Sequence, residues 1–176
     1  MARSIATEEG ADLDVVMPAA WLHDCVHVAV TSPDRPRASV MAGDMAVTFL
    51  RDIGYGDVAL LNRVHHAIAA HSFSARIAPL TAEARVVQDA DRLDAIGAIG
   101  IARCLMLGGQ MGRVLYDPAD PFAEHRVASD AVSSLDHFYT KLLTLAGTMQ
   151  TASGRREADR RTAVMQQWLD ALRREI

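Results

Sequence analysis

The sequence predicts an all-α protein. Half of its 176 residues are hydrophobic, yet only 5% are aromatic. Apolar residues recur at helical spacing, and β-branched residues are not gathered into alternating runs, so helices are favoured over a sheet. The length suits one domain with a sizeable buried core, and a single domain over residues 1–176 is expected.

The elements follow in order. A first helix covers about Ala2 to Glu9 and stops at Gly10. It reads as the tail of an amphipathic helix, as if the chain began partway through an element. Asp12 or Asp14 caps a second helix running to about Val30, with Pro18 near its first turn, where a missing N–H costs least. Residues 31–37 carry two prolines and form a loop. A third helix runs from Ala38 to Asp52, and Asp57 caps a fourth, which reaches about Ala70.

Residues 71–79 break the pattern. A helix opening near Thr81 continues through Asp91 and Asp94 to about Leu107, followed by a Gly-, Asp- and Pro-rich loop over 108–121. Ser129 or Asp130 starts a helix to about Leu145. The last helix spans about 157–174, with Met165, Trp168, Leu169, Leu172 and Ile176 as an apolar stripe. Core packing is the simpler use of that stripe, and a homodimer seam is the other.

Composition excludes several classes. The formal net charge of −4 offers no basic face for nucleic acid. No apolar run reaches the roughly 18 residues of a membrane span, and the N-terminus has no signal core. Two cysteines, Cys25 and Cys104, make no disulfide framework, so a reduced cytoplasm is expected, with both thiols in the core.

Three constellations can carry chemistry. His23-Asp24 sits inside the apolar stretch AAWLHDCVHVAV. Burying an imidazole beside a carboxylate is costly unless both are satisfied, and a metal satisfies both. On the dipeptide alone, an ordinary hydrogen-bonded core histidine remains the simpler reading. Residues 88–94, QDADRLD, interrupt an apolar helix with three carboxylates around Arg92. Asp91 and Asp94 share a face, whereas Asp89 points elsewhere. Arg92 pairing accounts for part of this charge, and metal ligation competes for the rest. His71, at a helix end, shares a face with Leu61, Val64 and Ile68 and should point inward, to contact a phosphate or to serve as a capping or core histidine. His65 and His66 read as surface residues, and His27, one turn after His23, can face the same cavity.

AAWLHD, HAIAAHSFSARIAPLT, EARVVQDADRLDAIGAIGIAR, YDPADPFAEHR and LDHFYTKLLTLAGTMQTASGR resemble the HD-domain superfamily of metal-dependent phosphohydrolases, in its YedJ/YpgQ-type bacterial branch. The match is dense from about Asp12 to Arg155. QDADRLDAIGAIG and AAHSFSA are more specific than the HD pair itself. The resemblance implies a single-domain HD-type helical bundle in which His, His-Asp and Asp hold one divalent metal. By position, His23 and Asp24 form the pair, and Asp91 is the last ligand, with Asp94 as runner-up.

The first ligand of that pattern normally lies upstream in a segment like His-x-x-Arg-Val. Here no histidine precedes His23. The expectation is therefore a bundle lacking the N-terminal part of its first helix, with an open gap beside a weakly held metal.

Mixed N/O ligation suits manganese, nickel, cobalt, iron or zinc, and magnesium is a further candidate. Such an ion lowers the pKa of its bound water and polarises a phosphoryl oxygen. Asp24 and Asp94 are the candidate catalytic carboxylates. His71, Arg92, Lys141 and Arg35 are the candidate substrate contacts, with Arg37 also in the loop after the HD pair. The implied substrate is a small phosphate compound, a nucleotide such as a deoxynucleoside triphosphate cut to monophosphate and pyrophosphate. The alternatives are a phosphomonoesterase, a phosphodiesterase, or a non-catalytic homologue that lost the site.

Overall fold

A computed structural model describes residues 1–29 and 31–176. Among them every regular element is helical, and Val114 and Ser133 form an isolated bridge. The all-α expectation holds. No single helix among the described residues is long and apolar enough to cross a membrane. The backbone groups into two compact units, Met1–Asp91 with Gln150–Gly154, and Arg92–Met149 with Arg155–Ile176.

In the first unit, α1 (Ala2–Glu9) closes at Gly10, whose φ of 67° is the left-handed conformation that glycine adopts without strain. Asp12 caps α2 (Leu13–Leu22) by accepting from the Asp14 N–H at 3.0 Å. The expected continuation of α2 to Val30 is corrected: the helix ends at Leu22, and Val30 itself lies outside the described residues. The cause is local. His23 places Nδ1 2.8 Å from the Ala20 carbonyl, and the Cys25 N–H turns back to the Leu22 carbonyl at 3.1 Å. A side chain that satisfies a last-turn carbonyl competes with further helix.

Next come a 3-10 turn (Arg35–Arg37) and α3 (Ala38–Asp52). Then α4 (Val58–Ala69) is capped by Asp57, which accepts from the Leu60 N–H at 2.9 Å. α4 packs on both α2 and α3, and α1 packs on α2. Val15, Val16, Ala42, Ala46, Leu61, Val64 and Ile68 are buried along these faces. The helical spacing that put His71 in line with Leu61, Val64 and Ile68 explains why it too is buried.

α5 (Ala82–Asp94) and α6 (Gly97–Gln110) replace the single helix expected to about Leu107. The ladder stops because Ile96 is extended, with φ −125° and ψ 169°, and Gly97 has φ 77°. Arg161 also donates to the Leu93 carbonyl at 2.5 Å, a group a continuous helix would have used itself.

The helix expected from Ser129 or Asp130 to Leu145 shrinks to α7 (Asp136–Thr140), followed by a 3-10 segment (Leu142–Thr148). Two carboxylates hold the residues before α7 in turns. Asp136 accepts from the Ser129 N–H at 2.6 Å and the Ser133 hydroxyl at 2.8 Å, while Asp130 bonds to His137 and Thr140.

α8 (Ala152–Arg173) starts earlier than residue 157 because Thr151 caps it, its hydroxyl accepting from the Gly154 N–H at 3.0 Å. Its stripe packs inside the second unit: Met165 and Leu169 are buried, and Trp168 stacks on Phe138 at 5.2 Å. Ile176 is left half-exposed. Cys25, expected in the core, is exposed, because the chain has already left the helix; Cys104 is half-buried. Both thiols are free.

Candidate metal centre

His23, Asp24, His71 and Asp91 lie in the first unit. His23 follows the last residue of α2, Asp24 sits in the turn after it, His71 follows the end of α4, and Asp91 lies on α5. His23 Nε2 is 3.7 Å from Asp24 Oδ2 and 3.7 Å from Asp91 Oδ1. His71 Nε2 is 3.6 Å from Asp24 Oδ1. One ligand atom each of His23, Asp24 and His71 falls within 4.8 Å of the other two.

The two histidines are prepared alike. His23 Nδ1 faces the Ala20 carbonyl at 2.8 Å, and His71 Nδ1 faces the Ile68 carbonyl at 2.6 Å. A carbonyl can only accept, so each Nδ1 carries a hydrogen and each ring turns its Nε2 toward a carboxylate. Both carbonyls lie three residues upstream, in the last turn of a helix, where the regular backbone ladder ends.

Burial is uneven. His71 is 5% exposed, whereas the Asp24 side chain is 79% exposed. The cluster thus has a dry floor at His71, a partly exposed His23 and an open rim at Asp24. Asp91 raises the His23 pKa above its ordinary 6.5; burial opposes, while the Ala20 carbonyl and Asp24 add to the rise. The His–carboxylate pairs at 3.6–3.7 Å fit a divalent ion, since donor–ion distances of about 2.0–2.2 Å place two ligands of one ion no more than about 4.4 Å apart. Mixed N/O donors suit transition metals better than calcium.

The other expected residues have different partners. Arg35 is exposed and donates from Nη1 to the Val28 carbonyl at 3.0 Å. Arg92 donates to the Thr148 carbonyl at 2.5 Å, Asp94 forms an ion pair with Arg103, and Lys141 is exposed. His27 is exposed. His65 and His66 are half-buried rather than superficial: His65 Nε2 lies 2.9 Å from Asp44 Oδ1, and His66 Nε2 accepts from the Leu80 N–H at 3.1 Å. A hollow of about 420 Å³ over α3, lined by Val26, Met41, Asp44, Met45 and Thr48, includes none of the four clustered residues.

Asp89 points away from the cluster, as its helical position predicts, but its partners were not legible in the sequence. It is fully buried and accepts from the Gln150 N–H at 2.8 Å, the Thr151 N–H at 2.8 Å and the Thr151 hydroxyl at 2.7 Å. The apolar neighbours Val86 and Val87 hinted at burial, but the partners lie some sixty positions along the chain.

An all-helical scaffold that gathers histidines and aspartates at helix ends defines the class of helical His-Asp hydrolases. Residues 1–96 match the HD domain, more than half of the chain, and the chain belongs to that family. It is 39% identical over 181 aligned residues to the uncharacterized protein YpgQ of Bacillus subtilis, covering all of this chain and 79% of that one. The crystal structure of B. subtilis YpgQ in complex with ADP superposes with a TM-score of 0.76, over 99% of this chain and 83% of that one. An HD-superfamily hydrolase from Bacillus thuringiensis, 34% identical, superposes with a TM-score of 0.74 over 99% of this chain and 80% of that one. These relations make the chain an HD-superfamily hydrolase.

Proposed function

We propose that this chain is a divalent-metal-dependent nucleotide phosphohydrolase that cleaves a nucleoside triphosphate to the monophosphate and pyrophosphate. The single observation that carries the metal reading is the convergence of His23, Asp24 and His71 ligand atoms within 4.8 Å, with Asp91 3.7 Å from His23. The ADP held by the B. subtilis relative supports the nucleotide reading.

In this proposal His23, Asp24, Asp91 and His71 hold the ion. His71 was expected on the substrate. With its Nδ1 turned onto the Ile68 carbonyl, its Nε2 faces Asp24 and suits an ion. When bound, the ion supplies Lewis-acid activation of water and of a phosphoryl oxygen. The two imidazoles keep Nε2 oriented through the helix-end carbonyls. Asp24, on the open rim, accepts the proton of the attacking water and admits substrate. Arg35, exposed after the His-Asp pair, supplies positive charge for the phosphates. Asp94, tied to Arg103, keeps Arg103 in place and leaves the proton to Asp24. The free thiols suit a reducing compartment, and we place the protein in the cytoplasm.

The test is a panel of nucleoside tri-, di- and monophosphates, a cyclic nucleotide and a generic phosphomonoester, each assayed with manganese, cobalt, nickel, zinc and magnesium. Release of pyrophosphate from triphosphates supports the proposal. Hydrolysis of the phosphomonoester or cyclic nucleotide alone replaces the substrate class, and no turnover with any metal defeats the enzymatic reading.

A further inference from the structure

The end of α4 carries more polar attachment than a helix end needs. Its final carbonyls and the one after it are each met by a different side chain. Ile68 accepts from His71 Nδ1 at 2.6 Å, Ala69 from the Ser39 hydroxyl at 2.9 Å, and Ala70 from Gln88 Nε2 at 2.7 Å. Ser39 comes from α3 and Gln88 from α5. Ser39 and Gln88 are each 3% exposed, and His71 is 5% exposed.

Gln88 is an awkward core residue. Its amide nitrogen is used, but its buried Oε1 has no hydrogen-bond partner among the described residues. An unsatisfied buried acceptor opposes folding, and an apolar side chain of the same length would avoid it. Packing therefore does not account for Gln88, whereas its Nε2 does: it grips the carbonyl of the residue immediately before His71. Gln88 also lies one helical turn before Asp91, so one turn of α5 carries both the grip on the His71 backbone and the carboxylate facing His23.

We infer that Gln88 and Ser39 are positioning residues for His71: by holding the Ala70 and Ala69 carbonyls they fix where the His71 ring starts, and so keep its Nδ1 on Ile68 and its Nε2 toward Asp24. This inference rests on the metal reading of His71 given above, but its own observable is the ring. A ring whose backbone is pinned just upstream stays in one tautomer, and one whose backbone is released samples both.

The experiment uses metal-free, nitrogen-15-labelled full chain and long-range proton–nitrogen correlation spectra of the His71 ring. Wild type should show a single His71 ring state, with its hydrogen held on Nδ1. Gln88→Met keeps the length and apolar volume and removes both the donor and the orphaned acceptor. It should fold with an unchanged or raised melting temperature, mix the His71 tautomers, and weaken manganese binding about tenfold, the scale of losing support behind a ligand.

Ser39→Ala deletes one oxygen from the neighbouring attachment and should move the same signals in the same direction. It decides the matter alone if Gln88→Met does not fold. A folded variant with a wild-type His71 spectrum overturns the inference. Failure of wild type to bind manganese would instead defeat the metal reading and leave the tautomer result standing.

Discussion

His23 and His71 meet edge to face, their ring centroids 4.8 Å apart and their planes at 81°. They come from the ends of two different helices, and each hangs from a carbonyl three residues upstream. Two rings held by the same device present their Nε2 atoms to one shared carboxylate, Asp24, and His23 also faces Asp91. That arrangement separates a prepared ligand pair from two core histidines that happen to touch.

Removing either imidazole should therefore weaken the same property. His23→Ala and His71→Ala are each expected to lower manganese affinity on the order of 100-fold, at the upper end of what loss of a ligand's support costs. His65→Ala, which loses a contact to Asp44 outside the cluster, should change it less than about twofold. Calorimetric titration of the metal-free proteins reads all three. Wild-type affinity in His71→Ala would return His71 to the substrate or the core.

Asp89 and Asp91 lie two residues apart on α5 and should fail in different ways. Asp89→Ala strands two backbone N–H groups and a hydroxyl in the core, and is expected to destabilise the fold by about 3 kcal/mol. Asp91→Ala should leave the denaturation midpoint near wild type and abolish metal-dependent turnover. Urea unfolding followed by helical signal, paired with the nucleotide assay, separates the two. Asp89 is thus unsuitable as an inert control for Asp91, although adjacent polarity in the sequence suggests that use.

That contrast marks what the sequence can show. Gly10 and Asp57 act on their own neighbours, so their roles as helix stop and helix cap could be read from a few residues. His23, Asp24 and Asp91 stood out because polar groups interrupt apolar helices. Asp89 belongs to the same string, but Gln150 and Thr151 decide its role, and no local pattern reveals them. The end of α2 was hidden for a related reason. WLHDCVHVAV is apolar enough to continue a helix, and only the turn of the His23 ring onto Ala20 shows that it stops. The early start of α8 was masked by Gly154, which looks like a loop residue until Thr151 is seen to cap it.

Asp136 should shape the acid limit of stability. Its carboxylate is fully buried and receives Arg126 on both oxygens, at 2.5 and 2.8 Å. Arg126 is the main cause that holds its pKa at about 2 rather than 3.8; burial opposes, and the Ser129 N–H and Ser133 hydroxyl help. The folded pKa is depressed, so this stabilisation is fully present above the unfolded value near 3.8 and is lost as pH falls through about 2. Asp136→Asn should flatten that part of the stability–pH curve. It should also cost about 3 kcal/mol near neutrality, because Arg126 is left without its buried partner. Denaturant midpoints measured from pH 5 to pH 2 test both statements, and parallel curves for variant and wild type would refute the assignment.

The break between α5 and α6 should be intolerant of a single methyl group. A Cβ on Gly100 would lie 2.2 Å from the Ala95 carbonyl oxygen and 2.5 Å from its carbon. Those are backbone atoms, which cannot swing aside as a side-chain tip can. Gly97 presents a milder case: its φ of 77° disfavours other residues, but the atoms a Cβ would meet, at 3.0 Å and beyond, belong to the Arg161 side chain. On helix propensity alone, both glycines look improvable, since alanine is favoured by about 1 kcal/mol in a helix interior. Geometry reverses that expectation. Gly97→Ala should destabilise by about 1–2 kcal/mol through the left-handed backbone. Gly100→Ala should cost more, about 3 kcal/mol or above, because the chain must move Ala95 and with it the extended Ile96 that opens α6. Thermal and urea unfolding of the two variants gives the order directly. If Gly100→Ala were neutral or stabilising, the close approach of Gly100 to Ala95 would not constrain the break between α5 and α6.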